Sequence, residues 1–352
     1  MTFHFSVSSV RKYMECPASY AYRYVNRWRV KGQRLGARDI GSAVHAGLAS
    51  LLAATWEGIE DLDPATGVYA WGKANEPDFS LQDEYGQVYV DAAEWDDLLQ
   101  RAIAIVDRFW TYLDFSNHYE VVTLRGEPAI EHNISHSFEI LGLPVEAIGV
   151  IDAIVRDKAT GAIEIWDFKV SQKFNGFEYY QTNMQLPLYM RLIELVYGLE
   201  AQSASIYQIR SNTPQEPKRN KSDELGKMVS RANITTDWAT YKATVLMYGD
   251  DPALYEDVRL KLAAAGDHWY EKMEYVYSTE TLNLFWENFL NAAREIVRAQ
   301  TEPGRTFPHV FGFACTRCEY RTLCNAKIAG DPLVGLFDEV DGKYFVREDE
   351  IE

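Results

Sequence analysis

Two aspartates and a lysine lie on two neighbouring apolar runs of the chain, where buried strands ordinarily carry no charge. The first run contains Asp152, and the second ends in Asp167, with Lys169 two residues later. Because strand side chains alternate between faces, Asp167 and Lys169 point the same way, and Phe168 points into the core. A hairpin turn over residues 157–161 would bring Asp152 beside them. Grouping two carboxylates and an ammonium is costly unless a divalent cation lies between them.

Taken alone, this pattern is also typical of a solvated hairpin end with a salt bridge. The order D-x(n)-D-x-K on paired strands, however, resembles the PD-(D/E)XK nuclease superfamily, with Asp152, Asp167, Phe168 and Lys169 at its motif positions. The resemblance implies an α/β fold with a restriction-endonuclease-like core, a mixed central sheet flanked by helices. It also implies that the two aspartates and the Phe168 carbonyl hold Mg²⁺ or Mn²⁺, and that Lys169 stabilises the charge that develops on a phosphate.

The cysteines form a second candidate site. Cys315, Cys318 and Cys324 follow a C-x2-C-x5-C pattern, and Cys16 lies about three hundred residues earlier. Close spacing of this kind indicates metal ligation more often than disulfides in a cytosolic protein, and four thiolates suit either tetrahedral zinc or an iron–sulfur cluster. This layout resembles the branch with AddB-type helicase–nuclease domains and the CRISPR adaptation nuclease. That resemblance implies a [4Fe–4S] cluster, with zinc as the alternative, in a knuckle that joins the N- and C-terminal regions.

Two further residues are candidates near the metal. His45 follows Gly41 on a helix of small and apolar residues, where a lone histidine is usually a core residue. The G-x3-H pattern resembles the helix that offers a histidine to the catalytic metal, and neutral imidazole suits Mn²⁺. Glu131 lies about where relatives carry a glutamate on the first core strand. It could ligate a second metal or orient the attacking water, or be a solvated acid.

An amide and a phenol follow the second apolar run. Gln185 and Tyr189 lie one turn apart on one face of a helix that should begin near Met184, because Pro187 is tolerated only close to a helix start. A buried amphipathic helix would also explain this spacing. Q-x3-Y after the second strand resembles the accessory motif of RecB-type nucleases, which implies that Gln185 and Tyr189 hold the substrate phosphate and the active-site lysine.

The remaining chain supplies elements that would position these groups. The acidic stretch from Leu51 to Asp97 predicts an irregular surface insertion, and residues 211–227 predict a mobile loop near DNA. Hydrophobic periodicity predicts the following helices and strands: a helix over Glu94–Tyr112, two strands within Val121–Leu141, a strand over Ser203–Arg210, and helices over Trp238–Tyr248, Asp251–Ala265 and Thr279–Ala299.

We expect one nuclease domain over residues 1–330, followed by an acidic tail over 331–352. The domain divides by predicted role: residues 1–30 and 300–328 form the iron–sulfur module, 41–50 and 94–210 form the catalytic core, and 51–93 and 211–299 are insertions and helices.

Charge is unevenly distributed along the chain. The net charge of −17 argues against a generally basic nucleic-acid binder. Six basic residues between Arg23 and Arg38, interleaved with Tyr24 and Trp28, nevertheless favour a phosphate-binding surface, and a second basic group lies at residues 218–221. No apolar run reaches membrane-spanning length and no signal-peptide pattern begins the chain, so we expect a cytoplasmic protein with no membrane partner.

These features together predict a divalent-metal-dependent deoxyribonuclease, an exonuclease of RecB/AddB type that acts in DNA processing, recombination or repair. Its expected partners are single-stranded or end-containing DNA and a helicase or recombination protein. The insertions favour a stand-alone, phage-encoded enzyme over a dedicated spacer-acquisition enzyme. The alternatives are a non-catalytic, iron–sulfur-stapled DNA-end-binding subunit of a larger helicase–nuclease complex, and a zinc-stapled scaffold that binds protein through its acidic tail.

Overall fold

A computed structural model describes residues 2–30, 35–80, 88, 90–219, 229, 234–265, 269–330 and 337–339. Its centre is a seven-stranded mixed sheet, accompanied by two small two-stranded sheets. The strands are β1 (Phe3–Ser6), β2 (Trp28–Val30), β3 (Tyr119–Val121), β4 (Thr123–Leu124), β5 (Glu127–Pro128), β6 (Ile130–Ile140), β7 (Leu143–Asp157), β8 (Ile163–Ser171), β9 (Ser203–Arg210), β10 (Tyr270–Tyr275) and β11 (Phe337–Glu339).

Helices cover both faces of the central sheet. The α-helices are α1 (Val7–Glu15), α2 (Pro17–Tyr20), α3 (Ala37–Trp56), α4 (Ala65–Ala74), α5 (Ala92–Leu113), α6 (Phe115–His118), α7 (Phe177–Gln181), α8 (Gln185–Tyr197), α9 (Trp238–Met247), α10 (Glu256–Ala265), α11 (Thr279–Thr301) and α12 (Arg321–Ala329). A π-helical turn spans Ala21–Val25, and 3₁₀ turns span Pro252–Tyr255 and Phe313–Arg317.

The long strand β7 organises the sheet. It pairs antiparallel with β6, β3 and β8, and parallel with β1. Strand β8 then continues parallel to β9, which pairs antiparallel with β10. This mixed α/β architecture, with helices on both faces, confirms the fold class that the resemblance implied.

Alternation along the strands divides the core between the two faces. Ile154, Ile165 and Ile206 pack in the cluster that contains residues of α8 and α11. Trp166 and Tyr207 pack in the cluster that contains residues of α3 and α5. Because side chains two residues apart share a face, Asp152, Asp167 and Lys169 lie on the α8 side of the sheet.

The structure corrects the prediction for residues 51–97. The irregular surface segment is wrong for the part described, because α3 continues to Trp56 and α4 packs against it. Leu51 and Leu52 are fully buried, and a Cβ at Gly67 would lie 2.2 Å from the backbone oxygen of Ala46. The two helices therefore approach each other closely, and residues 81–87 and 89 lie outside the described part.

Several other predicted features lie wholly or partly outside the described residues. They are Lys31 and Arg34 of the first basic group, Lys221 of the second, residues 220–227 of the 211–227 loop and the acidic tail except β11. Within the described tail, β11 pairs antiparallel with β2. Among the helices that the structure describes, none is both long and apolar enough to cross a lipid bilayer.

Candidate active site

The two aspartates lie on adjacent strands beneath α8. Asp152 Oδ2 accepts a hydrogen bond of 2.6 Å from the backbone N–H of Phe168. This bond joins β7 to β8 just beyond the last ladder pair of the two strands, Ala153 and Trp166. Asp152 is 9% exposed and Asp167 is 1% exposed. Carboxylates this well buried need compensating partners.

Asp167 finds its partners on its own strand and on α8. Lys169 Nζ donates to Oδ1 at 2.9 Å and lies 2.7 Å from Oδ2. Gln185 Nε2 donates to Oδ1 at 2.8 Å, and the same nitrogen lies 3.4 Å from the Tyr189 hydroxyl oxygen. Oδ2 accepts no well-oriented hydrogen bond despite its contact with Lys169, so a buried lone pair is directed into the site.

His45 reaches the same place from α3. Its Nε2 lies 2.8 Å from the backbone oxygen of Phe168, so Nε2 carries the proton in this contact. Nδ1 lies 3.5 Å from Asp152 Oδ2 and 3.7 Å from Glu131 Oε1. Among the His, Cys, Asp and Glu side chains that the structure describes, only His45, Glu131 and Asp152 form a group of three or more with ligand atoms within 4.8 Å of one another.

The electrostatics of this group favour a cation. Burial opposes the charged imidazolium, but Asp152 and Glu131 outweigh it and raise the pKa of His45 to about 9. Burial also raises the pKa of Asp152, and it raises the pKa of Asp167 to about 6 although Lys169 acts in the opposite direction. Without a metal ion, the positive charge of the protonated His45 imidazole therefore offsets the negative charge of the carboxylates. It does so at the position where the ligand atoms would surround a bound cation.

Glu131 reaches the group from a distorted point in β6. Its φ of 41° lies in the left-handed region, which non-glycine residues rarely adopt within a strand. The flanking residues Ile130 and His132 keep normal pairing with β7, whereas Glu131 itself is not paired with the residue opposite, Asp152. The distortion is therefore confined to the residue whose carboxylate approaches His45.

These contacts bring together His45, Glu131, Asp152, Asp167, Lys169, Gln185 and Tyr189, residues that are spread over almost 150 positions of the sequence. A family profile described as the PD-(D/E)XK nuclease superfamily matches residues 4–325. The chain belongs to the PD-(D/E)XK nuclease superfamily.

Two individual proteins are similar to this nuclease. The Gene 69 protein of Mycobacterium phage D29 is 25% identical over 239 residues, which cover 64% of this chain and 82% of the phage protein. A crystallised protein of Eubacterium rectale, named provisionally as an exonuclease, is 11% identical with a TM-score of 0.43, over 89% of this chain and 87% of its own.

The donor set of the site fits the divalent ion that nucleases of this superfamily use. Carboxylate oxygens, a backbone carbonyl oxygen and an imidazole suit Mg²⁺ or Mn²⁺. Three of the donors already lie within 4.8 Å of one another, and Asp167 adds a buried oxygen with no well-oriented donor. The contact between His45 Nε2 and the Phe168 oxygen also places the predicted carbonyl ligand beside the group.

The four cysteines lie together on another part of the molecule. All four are free thiols that line one cavity of about 650 Å³, and Cys16, Cys318 and Cys324 pack around Tyr22 and Tyr320. Burial raises the pKa of Cys324, and the neighbouring cysteines raise it further. In the described residues no three of their sulfurs lie within 4.8 Å of one another. Tetrahedral zinc would hold its sulfurs about 3.8 Å apart, so the structure does not form a closed zinc site.

The N- and C-terminal segments contact each other around this cavity. The backbone N–H of Ala18 donates to the Pro308 oxygen at 3.1 Å, and Lys12 Nζ lies 2.7 Å from Glu319 Oε1. Tyr22 Oη lies 2.9 Å from His309 Nε2. These contacts join the two ends of the chain directly.

Three residues around the site carry no motif and were not predicted. The buried side chain of Gln208 hydrogen-bonds to the backbone of Asn175 and to the Tyr180 hydroxyl. The regular alternation of β9 predicted the strand itself, but an amide inside a buried strand was the one available signal that Gln208 holds a neighbouring loop.

Proposed function

We propose that this protein is a divalent-metal-dependent deoxyribonuclease, an exonuclease of RecB/AddB type. The observation that supports it best is the close approach of His45, Glu131 and Asp152 beside the Asp167–Lys169 pair. One group offers metal ligands, and the other offers a half-buried ammonium within the same site. Metal-assisted hydrolysis of a phosphodiester uses both functions.

Asp152, Asp167, His45 and the Phe168 carbonyl would hold the Mg²⁺ or Mn²⁺, with Glu131 as a further ligand or as the group that orients water. When bound, the ion polarises a phosphoryl oxygen and lowers the pKa of a bound water. The protein's part is to fix these donors. Asp152 is held by the Phe168 N–H, and Asp167 is held by Gln185 and Lys169.

Lys169 is the group that would stabilise negative charge on the phosphate. Burial opposes its charge, but Asp167 and Asp152 outweigh burial and raise its pKa, so the ammonium remains charged at neutral pH. Its side chain is 31% exposed, which allows contact with a substrate. Electrostatic groups placed in this way contribute on the order of a hundredfold or more to the rate. Gln185 and Tyr189 would hold Asp167, the lysine and the substrate phosphate in place.

We further propose that Cys16, Cys315, Cys318 and Cys324 hold a [4Fe–4S] cluster that links the two ends of the chain. Their shared cavity and free thiols support this. The test is the iron and sulfide content of anaerobically purified protein, with its visible absorbance. Cys318→Ser should lose both iron and colour, and one bound zinc per chain with no iron would contradict the proposal.

The substrate would be single-stranded or end-containing DNA in processing, recombination or repair, with a helicase or recombination protein as a further partner. A non-catalytic DNA-end-binding subunit is the competing function. A complete set of candidate metal ligands beside Lys169 favours the enzyme, because a protein that only binds DNA ends has no need of such a set.

The decisive experiment is cleavage of end-labelled single- and double-stranded DNA with Mg²⁺ or Mn²⁺. Asp152→Ala and Lys169→Ala should abolish cleavage and leave DNA binding largely intact. The matched controls are Asp96→Ala and Lys73→Ala, at exposed positions on α5 and α4, which should cleave like wild type. Full activity of either site variant would rule out these roles, and DNA binding without cleavage by the wild type would favour the non-catalytic subunit.

A further inference from the structure

The segment over residues 172–181, hereafter the aromatic segment, connects the two elements β8 and α8 that carry residues of the site. It begins directly after β8, which carries Asp167 and Lys169, and it ends four residues before Gln185. We propose that the aromatic segment is a base-stacking platform that receives single-stranded DNA beside the active site. This inference rests on the proposed nuclease function and names its preferred substrate class.

Two aromatic rings of α7 are exposed in this segment. Phe177 is 45% exposed and Tyr179 is 57% exposed, although large apolar side chains are usually buried. Phe177 stacks on Tyr275, with ring centroids 4.4 Å apart and an interplanar angle of 19°. The Tyr275 hydroxyl also donates to the Phe177 backbone oxygen at 2.9 Å. Phe177 is therefore held from one side while much of its surface remains accessible.

Gln208 fixes the segment to the sheet. Its Oε1 accepts from the Asn175 N–H at 2.7 Å and from the Tyr180 hydroxyl at 3.1 Å, and its Nε2 donates to the Asn175 oxygen at 2.9 Å. Gln208 is fully buried, so these bonds are shielded from water. A platform that is ordered before it binds loses less conformational entropy on binding.

The platform is close to the reacting groups. The Tyr180 hydroxyl donates to Gln208 Oε1 at 3.1 Å, and Gln208 is the residue that pairs with Lys169 in the ladder between β8 and β9. The Tyr180 ring packs edge-on against Tyr179, with centroids 4.9 Å apart. A base stacked on Tyr179 would therefore belong to a nucleotide close to the Asp167–Lys169 pair.

The charges around the segment permit a polyanion. Lys173 is exposed, and the Arg210 guanidinium lies 5.1 Å from the Phe174 ring centre while donating to the Gln172 oxygen. Glu178 is the one acid within residues 172–181. Glu271 is a second acid beside the segment, because its Oε2 accepts from Gln208 Nε2 at 2.9 Å. Two positive and two negative groups therefore make these surroundings locally neutral in a chain of net charge −17, and stacking on aromatic rings needs no excess of positive charge.

Only unpaired nucleic acid can stack its bases on such rings. In a duplex the base faces are covered by neighbouring base pairs, whereas a single strand offers each base to an aromatic side chain. An apolar peptide could also contact exposed rings, but nothing in the site beside them would act on a peptide. We therefore assign the platform to single-stranded DNA.

The test is fluorescence anisotropy of a labelled single-stranded oligonucleotide with Tyr179→Ala and Phe177→Ala, in buffer without divalent ions so that no cleavage occurs. Each substitution should weaken binding about tenfold, the effect of losing one stacked base. The slope of affinity against salt concentration should not change, because no phosphate contact is lost. Tyr179→Trp, which keeps an aromatic ring, should bind as tightly as wild type. Tyr69→Ala, at a 48% exposed tyrosine on α4, is the matched control.

An oligonucleotide of abasic sites separates stacking from phosphate contact. The inference requires that Tyr179→Ala and wild type bind the abasic strand equally. An equal loss on the abasic strand, no loss on the normal strand, or an equal loss on a blunt duplex would overturn it. Cleavage by wild type is measured separately with Mn²⁺. Active wild type with unaffected binding in the variants would refute the platform alone, whereas inactive wild type would refute the nuclease proposal alone.

Discussion

Gln185 Nε2 lies 2.8 Å from Asp167 Oδ1, the same oxygen that accepts a hydrogen bond from Lys169 Nζ. One carboxylate oxygen is thus shared between the first turn of α8 and the strand that precedes it. The arrangement leaves Oδ2 as the oxygen of Asp167 without a well-oriented donor. The hydrogen bond from Gln185 therefore orients the Asp167 carboxylate.

Replacing Gln185 with alanine should lower the cleavage rate and the apparent Mn²⁺ affinity, each by about ten- to a hundredfold, because supporting hydrogen bonds to metal ligands have effects of this size. Cleavage rates measured over a Mn²⁺ titration test this. Gln100→Ala removes an exposed amide that bonds only to Tyr69 among the described residues, so it is the control. An unchanged titration in Gln185→Ala would show that Asp167 needs no support from α8.

Substituting Gly149 should destabilise the fold and disturb Tyr189. A Cβ at this position would lie 2.8 Å from Tyr189 Cε1, which is too close for unstrained packing. Gly149→Ala should cost about 1–3 kcal/mol, the usual range for overpacking, in the free energy of urea unfolding. Gly176→Ala is the control, because no atom lies within 4 Å of its added Cβ. Equal unfolding free energies for the two variants would mean that Tyr189 moves away without penalty.

Removing Lys272 should leave a buried charge without its partner. Glu164 is 5% exposed, and its carboxylate lies 2.9 Å from Lys272 Nζ in addition to accepting from Trp166 and Ser205. Lys272→Met should therefore cost about 3–5 kcal/mol, measured by urea denaturation. Adding Glu164→Gln should recover part of that loss. A double variant less stable than Lys272→Met would contradict this explanation.

The same pair predicts a loss of stability at alkaline pH. Burial opposes the charge of Lys272, but Glu164 outweighs it and raises the pKa of Lys272 above the ordinary lysine value. The contribution is complete below the unfolded pKa of about 10.4 and is lost as pH rises through the higher folded value. The stability difference between wild type and Lys272→Met should therefore shrink above pH 10.4. A difference that stays constant to pH 12 would refute it.

Mn²⁺ should stabilise the protein against heat. An ion that binds only the folded state adds about 2.7 kcal/mol at a hundred times its dissociation constant. The melting temperature of wild type should rise with Mn²⁺ concentration, and that of Asp152→Asn should rise much less. Asp96→Asn serves as the control. Identical shifts in Asp152→Asn and wild type would place the ion elsewhere.

Local patterns predicted the elements that carry the site well. The alternation in Ser203–Arg210 gave β9 with its observed bounds, and helical periodicity gave α5 to within two residues at each end. The expected start of α8 near Met184 agrees with its observed start at Gln185. Helices α5 and α8 have strong periodicity because each packs one face against the sheet, α5 on one side and α8 on the other.

Other features could not be read from local patterns. Strands β1 and β10 are short, and each is defined by a partner far away in the sequence. Helix α4 was hidden in an acidic stretch that resembled an insertion, although Gly67 allows it to pack against α3. The network around Gln208 depends on three segments meeting in space, which no single segment reveals.

The left-handed backbone of Glu131 has a consequence for anyone who engineers this protein. Glycine adopts that conformation freely, whereas other residues lose about 1–2 kcal/mol. A library selected for heat resistance should therefore enrich Glu131→Gly, and with it the loss of a carboxylate from the candidate metal group. This one substitution would then raise thermal stability and lower catalytic activity, so such libraries need an activity screen as well.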